Sequence, residues 1–219
     1  MLSSTEENYL KAIFKLSEKN PDNITTNSIA STISTAPASV TDMLRKLSDK
    51  KLIHYEKYRG VQLTKKGREA AVMLIRNHRL WEVFLLDKLG FTWDQVHEVA
   101  EEMEHVRSPL LIARLEKFLG YPKYDPHGDP IPDAQGHINY HEQVSLSELK
   151  GGEKGKVVGV VEQSANFLRY LDKINLAINS TVEVLELNDY DNSRLIKLGK
   201  NQVFVSEKVC GNLIVERKK

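Results

Sequence analysis

Nine residues, His97-Glu98-Val99-Ala100-Glu101-Glu102-Met103-Glu104-His105, hold two imidazoles and four carboxylates. Their spacing matters more than their number. On a helix, His97, Glu101, Glu104 and His105 follow one another by steps of four, three and one, which places them on one face within about two turns. Val96, Val99, Ala100 and Met103 form the apolar face that would hold such a helix to its neighbours. Two carboxylates and an imidazole one turn apart can converge on a divalent cation of hard to borderline character. A solvated acidic helix face has the same composition, so the run by itself leaves both readings open. His78 and Glu82 supply a second pair at i and i+4, on a long helical stretch just upstream. Two neighbouring helices, each presenting His and Glu one turn apart, describe a metal centre built between helices.

Such residues need a scaffold, and a chain of 219 residues is long enough for two domains or three small ones. With 41% apolar and 28% charged residues it has the composition of an ordinary soluble globular protein. No apolar run approaches the roughly 18 residues of a spanning helix, and the N-terminus lacks the apolar core of a signal peptide. The single Cys210 excludes an intrachain disulfide and suits a reducing compartment, so a cytoplasmic protein without a membrane partner is expected. The net charge is only +1, yet its distribution is uneven. Residues 37–68 carry nine Lys/Arg against three Asp/Glu, and residues 69–107 carry eight acids against four bases. A basic segment followed by an acidic one points to DNA contact in the first and cation binding in the second.

The first third reads as a DNA-binding fold. Ser4 to Glu7 have capping-box spacing ahead of a first helix that ends near Lys19, before the turn cluster Asn20-Pro21-Asp22-Asn23. Thr26 caps a short second helix, and Pro37 suits the first position of a third, through Val40, Met43, Leu44 and Leu47. Two short helices joined by a tight turn form a helix-turn-helix. The strand-like runs Leu52 to Glu56 and Val61 to Thr64 flank Lys57-Tyr58-Arg59-Gly60 and form a basic wing. The third helix offers Ser39, Thr41, Asp42, Arg45 and Lys46 to a major groove, while Lys57, Tyr58 and Arg59 reach phosphate or the minor groove.

Thr64 then caps a long helix to about Lys88, with more apolar surface than one small domain needs, so part of it is expected against a second subunit. Thr92 caps the acidic helix, and Ser108-Pro109 starts another through Phe118. Residues 120–145, with Pro122, Pro126, Pro130 and Pro132, read as an extended linker or boundary loop, and His127, His137 and His141 within it as surface histidines. Beyond Ser145 short strands alternate with turn chemistry around one helix near residues 166–173, which describes a half-open β-barrel of about 70 residues. The fold class is mainly α with a β-rich C-terminal domain. The expected domains are a winged helix-turn-helix over 1–64, a helical metal-binding and dimerisation domain over 65–144, and a barrel over 145–219.

The chain resembles the diphtheria-toxin-repressor family of metal-dependent transcriptional repressors along essentially its whole length. The resemblance is carried by Asn8-Tyr9-Leu10-Lys11-Ala12-Ile13, by Ser39-Val40-Thr41 with Leu47, and by Leu63-Thr64-Lys65-Lys66-Gly67. It continues through His78-Arg79-Leu80-Trp81-Glu82, Val96-His97, Glu104-His105-Val106 and Gly128-Asp129-Pro130-Ile131-Pro132. It implies an SH3-like barrel and two metal positions. One uses Glu101, Glu104 and His105, completed by position 8, which is Asn8 here. The other uses His78, Glu82 and His97, with help from the barrel near Glu162 and Gln163. Glutamate at position 101, where the iron-responsive branch has cysteine, favours Mn²⁺ with Fe²⁺ as the alternative and Zn²⁺ or Co²⁺ as substitutes in vitro. The implied molecule is a homodimeric repressor of metal-uptake genes on a palindromic double-stranded operator. Two rivals are a winged-helix regulator of a non-metal ligand and a metal-dependent hydrolase. The hydrolase is poorly served, because the zincin-like run from His97 has Glu101 where its second histidine should stand.

Overall fold

A computed structural model describes residues 2–21, 24–56, 60–93, 95–139, 143–162 and 164–218. They fall into two compact units, 1–78 with 103–107 and 132–137, and 79–102 with 108–131 and 138–219.

In the first unit, helix α1 (Ser4–Lys19) is capped one residue earlier than the Ser4–Glu7 spacing suggests. The Ser3 hydroxyl accepts the Glu6 N–H, and the Glu6 carboxylate accepts the Ser3 N–H. Thr25 and Ser28 do the same for α2 (Thr26–Thr32), again one residue ahead of the expected Thr26. Pro37 opens α3 (Pro37–Asp49) with its φ already helical. Leu10, Ile13 and Phe14 of α1, Ile29 of α2, and Val40, Leu44 and Leu47 of α3 are fully buried, each worth about 1.5–3 kcal/mol by removal from water. Strands β1 (Ile53–Glu56) and β2 (Gly60–Leu63) pair antiparallel from Ile53↔Leu63 to Glu56↔Gly60, which is the wing. Its expected contact residues Lys57, Tyr58 and Arg59 lie outside the described residues, as do His141 and Gln163. The Thr64 hydroxyl accepts the Gly67 N–H at the start of α4 (Lys65–Leu89).

The second unit holds α5 (Val96–Met103), α6 (Pro109–Phe118) and a six-stranded antiparallel sheet. Its strands are β3 (Gln143–Ser145), β4 (Lys154–Val160), β5 (Thr181–Leu187), β6 (Arg194–Leu198), β7 (Asn201–Val205) and β8 (Leu213–Lys218). They run in the order β3-β8-β4-β5-β6-β7. Helix α7 (Ala165–Lys173) packs Phe167, Leu168 and Leu171 into the same core as Val157, Val182, Val184, Ile196 and Val215. A short helix, α8 (Glu207–Gly211), buries Cys210 as a small hydrophobe. Among the described residues no helix is long and apolar enough to cross a membrane.

The Pro-rich stretch departs from the expected extended linker. Residues 123–131 close on themselves, with the Ile131 N–H bonded to the Lys123 carbonyl, and a bridge between Tyr124 and Pro130. The Asp125 carboxylate accepts the N–H groups of His127 (2.8 Å) and Asp129 (2.9 Å), an Asx turn that local composition permits but periodicity does not reveal. The tip then lies on β4, where the Val160 N–H donates to the His127 carbonyl at 2.8 Å. Gly128 makes this approach possible. Its φ is +92°, and a Cβ there would sit 1.7 Å from the Val158 carbonyl oxygen and 2.0 Å from Gly159 Cα. Gly128→Ala should therefore cost about 2–4 kcal/mol, since backbone rather than a flexible side chain has to move. Urea unfolding of the full chain measures it, and a loss below about 0.5 kcal/mol would show that the loop is not seated this way.

Candidate metal centres and nucleic-acid interface

Two groups of ligand-type side chains are assembled, one in each unit. In the first, Glu104 is the hub, its side chain fully buried. Its carboxylate takes the Lys11 ammonium at 2.7 and 2.8 Å, one distance to each oxygen, and His78 Nδ1 at 2.7 Å. His105 Nε2 lies 3.8 Å from the same carboxylate, and its Nδ1 is 2.6 Å from Glu7 Oε2. Arg107 adds a cation 3.4 Å from Glu7. Asn77 holds the backbone of the hub by donating from Nδ2 to the Glu104 carbonyl at 3.2 Å. Asn8 stands on α1 between Glu7 and Lys11, and its side-chain oxygen is buried with no hydrogen-bond partner. A buried amide oxygen in that condition costs free energy unless a cation or donor reaches it. That fits a cation beside Glu104 and His105.

The expectation of one continuous acidic helix through His105 is not met. Helix α5 ends at Met103, and Glu104 and His105 follow in a turn, with the Val106 N–H on the Met103 carbonyl. Within α5 the i,i+4 pair survives, as His97 Nε2 is 3.5 Å from Glu101 Oε1. The turn frees Glu104 from the helix face, so the hub is set by α1 and not by helical periodicity.

In the second unit the centre is Glu82 on α4, only 2% exposed. His97 Nδ1 is 3.2 Å from Glu82 Oε1, and His127 Nδ1 is 3.6 Å from Oε2. Glu82, Asp125 and His127, all buried, each offer one ligand atom within 4.8 Å of the others. An imidazole with two carboxylates in a dry site suits a borderline divalent cation. Arg79 faces the same loop, 3.4 Å from Asp125 and 3.2 Å from Asp129, and donates to the Pro130 carbonyl at 2.5 Å. Burial pushes the Asp125 carboxyl up to about 7, with the Glu82 and Asp129 charges adding to it and Arg79 opposing. Burial alone would lower His127, but the Glu82 carboxylate facing it, with the Asp125 charge behind, outweighs that and lifts it to about 9. His127 is thus no surface histidine. The Asx turn and the seat on β4 bury it, whereas His137 is exposed and pairs locally with Asp133 at 3.1 Å. Asp125 was not singled out at all. Glu162 is half-exposed and accepts from the Ser164 hydroxyl at 2.7 Å.

On the DNA-facing side, α3 buries Val40, Leu44 and Leu47 and leaves Ser39, Asp42, Arg45 and Lys46 exposed. Thr41 is half-buried, its hydroxyl donating to the Pro37 carbonyl at 3.1 Å. Asp42 and Arg45 pair at 3.3 Å with about two-thirds of each side chain in solvent, so the pair stabilises little and is open to exchange partners. The apolar surface expected on α4 is mostly internal. Exposed apolar residues gather instead on α6 and its flank, where Leu110, Phe118 and Tyr121 are each more than 60% exposed. Phe118 also meets Phe84 at 6.3 Å and Lys88 at 5.7 Å.

The chain matches three family models end to end. They describe an iron-dependent repressor N-terminal DNA-binding domain over residues 1–61, an iron-dependent repressor metal-binding and dimerisation domain over 64–133, and a FeoA domain over 144–217. It is 34% identical over 131 residues to the iron-dependent repressor IdeR of Mycobacterium tuberculosis, a match over 60% of this chain and 56% of that protein. The chain thus spans about half the length of these mycobacterial relatives. It is 32% identical over 186 residues to the diphtheria toxin repressor of Corynebacterium jeikeium, 85% of this chain and 77% of that one. A solved manganese-dependent transcriptional repressor in complex with manganese superposes with a TM-score of 0.78 at 31% identity, covering 97% of this chain and 99% of the other.

Proposed function

The chain belongs to the iron-dependent repressor family, and from that premise we propose that it is a homodimeric transcriptional repressor whose hold on a DNA operator is switched on by a divalent cation. The cation of first choice is Mn²⁺, with Fe²⁺ as the alternative, and the regulated genes are those of metal uptake. The buried Asn8 oxygen carries the reading: it has no hydrogen-bond partner, and it stands on α1 between the Glu7 that meets His105 and the Lys11 that meets Glu104, on the helix that leads into the helix-turn-helix. In the first unit Asn8, Glu104 and His105 would hold the ion. Glu101, which faces His97 on α5 in the second unit, is a further ligand on this reading. With His78 Nδ1 turned to the Glu104 carboxylate at 2.7 Å, Nε2 is the nitrogen left to ligate. In the second unit Glu82 and His97 gain Asp125 and His127, which makes Glu162 an unnecessary ligand.

The ion supplies positive charge that lets several buried carboxylates and an amide oxygen share one point. The chain's own residues do the rest. Glu104 and His105 anchor the 103–107 turn to α1 through Lys11 and Glu7, which sets the attitude of the winged helix. Leu110, Phe118 and Tyr121 form the two-fold contact between protomers. A two-fold dimer reads a palindrome, with half-sites spaced by whole turns on one DNA face. Ser39, Asp42, Arg45 and Lys46 read base edges, Thr41 packs behind them, and the wing residues Lys57, Tyr58 and Arg59 hold phosphate. Such a regulator works in the cytoplasm on chromosomal DNA.

Operator binding by the full chain should strengthen about 5- to 150-fold on adding Mn²⁺ and fall back with excess chelator. Each phosphate neutralised adds about 0.9 to the slope of log affinity against log salt. Fluorescence anisotropy with a labelled operator measures both, and an affinity indifferent to chelator rules out metal activation.

Glu101→Cys replaces a hard donor with a soft one at the same site of α5. The apolar residues Val96 and Ala100, which anchor the helix, are untouched. The ratio of Mn²⁺ to Fe²⁺ midpoints for operator binding, measured anaerobically, should move about 10-fold toward Fe²⁺. An unchanged ratio means that Glu101 is not a ligand.

A further inference from the structure

We propose that Lys11 is a tethered cation that competes with the divalent ion for Glu104 and thereby sets the metal concentration at which the first-unit centre fills. The inference rests on the reading of Glu104 as a ligand. Lys11 lies on α1 with 7% of its side chain exposed, and its ammonium touches both oxygens of a carboxylate that has no solvent exposure at all. An ammonium is rarely buried this deeply unless it is paired. Here it spans both oxygens, so a residue of the chain itself already neutralises the Glu104 charge. A second cation on either oxygen would be held close to the first in a poorly screened site, where like charges repel far more strongly than in water.

The flexible four-carbon stem gives Lys11 a way out that a rigid group would not have. Metal binding at Glu104 thus becomes an exchange of one cation for another instead of the filling of an open carboxylate. Two consequences follow. The metal-free first unit keeps its hub intact, because Glu104 is never a lone buried charge. The ion must also be present at a higher concentration than the same donors would need without the lysine. Asn8, one helical turn earlier on the same face, has no such substitute for its oxygen, so it stays unsatisfied until a cation arrives. A lysine that merely props Glu104 in place predicts the opposite sign, since its removal would weaken metal binding.

Mn²⁺ affinity is read by competition with a fluorescent chelator on the full chain, alongside thermal unfolding with and without Mn²⁺. Glu104→Gln identifies which binding step belongs to the first unit, since that step should vanish. Lys11→Met should tighten the same step about 10- to 100-fold. It should also lower the melting temperature of the metal-free protein and enlarge the rise that Mn²⁺ produces. Lys11→Arg keeps the charge in a planar fork that grips a carboxylate with two parallel bonds, so it should weaken the step and serves if Lys11→Met does not fold. Unchanged or weaker binding in Lys11→Met, or unchanged binding in Lys11→Arg, overturns the competition while leaving Glu104 a ligand. If Glu104→Gln leaves every Mn²⁺ step in place, the ligand reading falls and the competition falls with it.

Discussion

Glu104→Ala should destabilise the metal-free protein by about 3–5 kcal/mol and abolish the first-unit metal step in the same stroke. Three ionisable side chains converge on this one carboxylate. Its side chain is completely buried and meets Lys11 at 2.7 Å, His78 at 2.7 Å and His105 at 3.8 Å. Truncation takes this counter-ion from a buried ammonium, and that loss of compensation sets most of the cost. The double variant Lys11→Met with Glu104→Leu separates the two effects. It replaces the ion pair by apolar groups of similar volume, which is often neutral for stability, so most of the loss should return. Metal binding should not return, because no donor has been restored. Urea unfolding in chelator gives the stability and chelator competition gives the affinity. A single variant that loses less than about 1 kcal/mol would mean that solvent reaches the hub.

The contrast between Glu104 and Asp125 shows what a sequence can and cannot disclose. The helices and strands were legible because each repeats a period. Pro37, Ser108 and Thr64 sit at helix starts as their chemistry requires, and the strands over 181–187 and 194–198 lie where the β-branched and aliphatic runs place them. Three-residue β3 and five-residue α8 are too short to carry a period and were not anticipated. Among ligand-type residues, His78, Glu82, His97 and Glu104 were visible through i,i+4 and similar spacings. Lys11 was not, because a lysine on an amphipathic helix reads as a solvated position, and only its partner 93 residues later buries it. Asp125 and His127 lie in a proline-rich stretch with no period at all. Their signal was the short run Asp125-Pro126-His127-Gly128, in which an Asx turn and a glycine at φ +92° fold the chain back onto β4. Recognising it requires knowing that β4 offers Gly159 in return, a pairing no local window contains.

The candidate centre of the second unit should show itself through pH. In chelator, the melting temperature of the wild-type chain should fall as pH rises from about 4 to 9. Asp125 is raised from 3.8 to about 7, so its contribution is complete below pH 4 and is lost as pH climbs through 7 and the buried carboxyl ionises. His127 is raised from 6.5 to about 9, so its contribution is complete below pH 6.5 and is lost as the imidazolium on Glu82 gives up its proton toward 9. Both changes have the same sign. The stabilisation conferred by Mn²⁺ should run the other way and grow with pH, because those same protons must leave before the groups can ligate. Glu82→Gln provides the test of cause. It removes the charge that lifts both neighbours, so burial should dominate at His127 and bring its titration down to or below the ordinary histidine range. The slope between pH 7 and 9 should then flatten. At pH 6 the variant should also be less stable than the wild type, since the pairing of the His127 imidazolium with the Glu82 carboxylate is gone. Melting curves in chelator from pH 5 to 9, with the His127 ring resonances followed by NMR, decide the matter. A wild-type profile that is level across this range would place Asp125 and His127 in water and remove the second-unit centre.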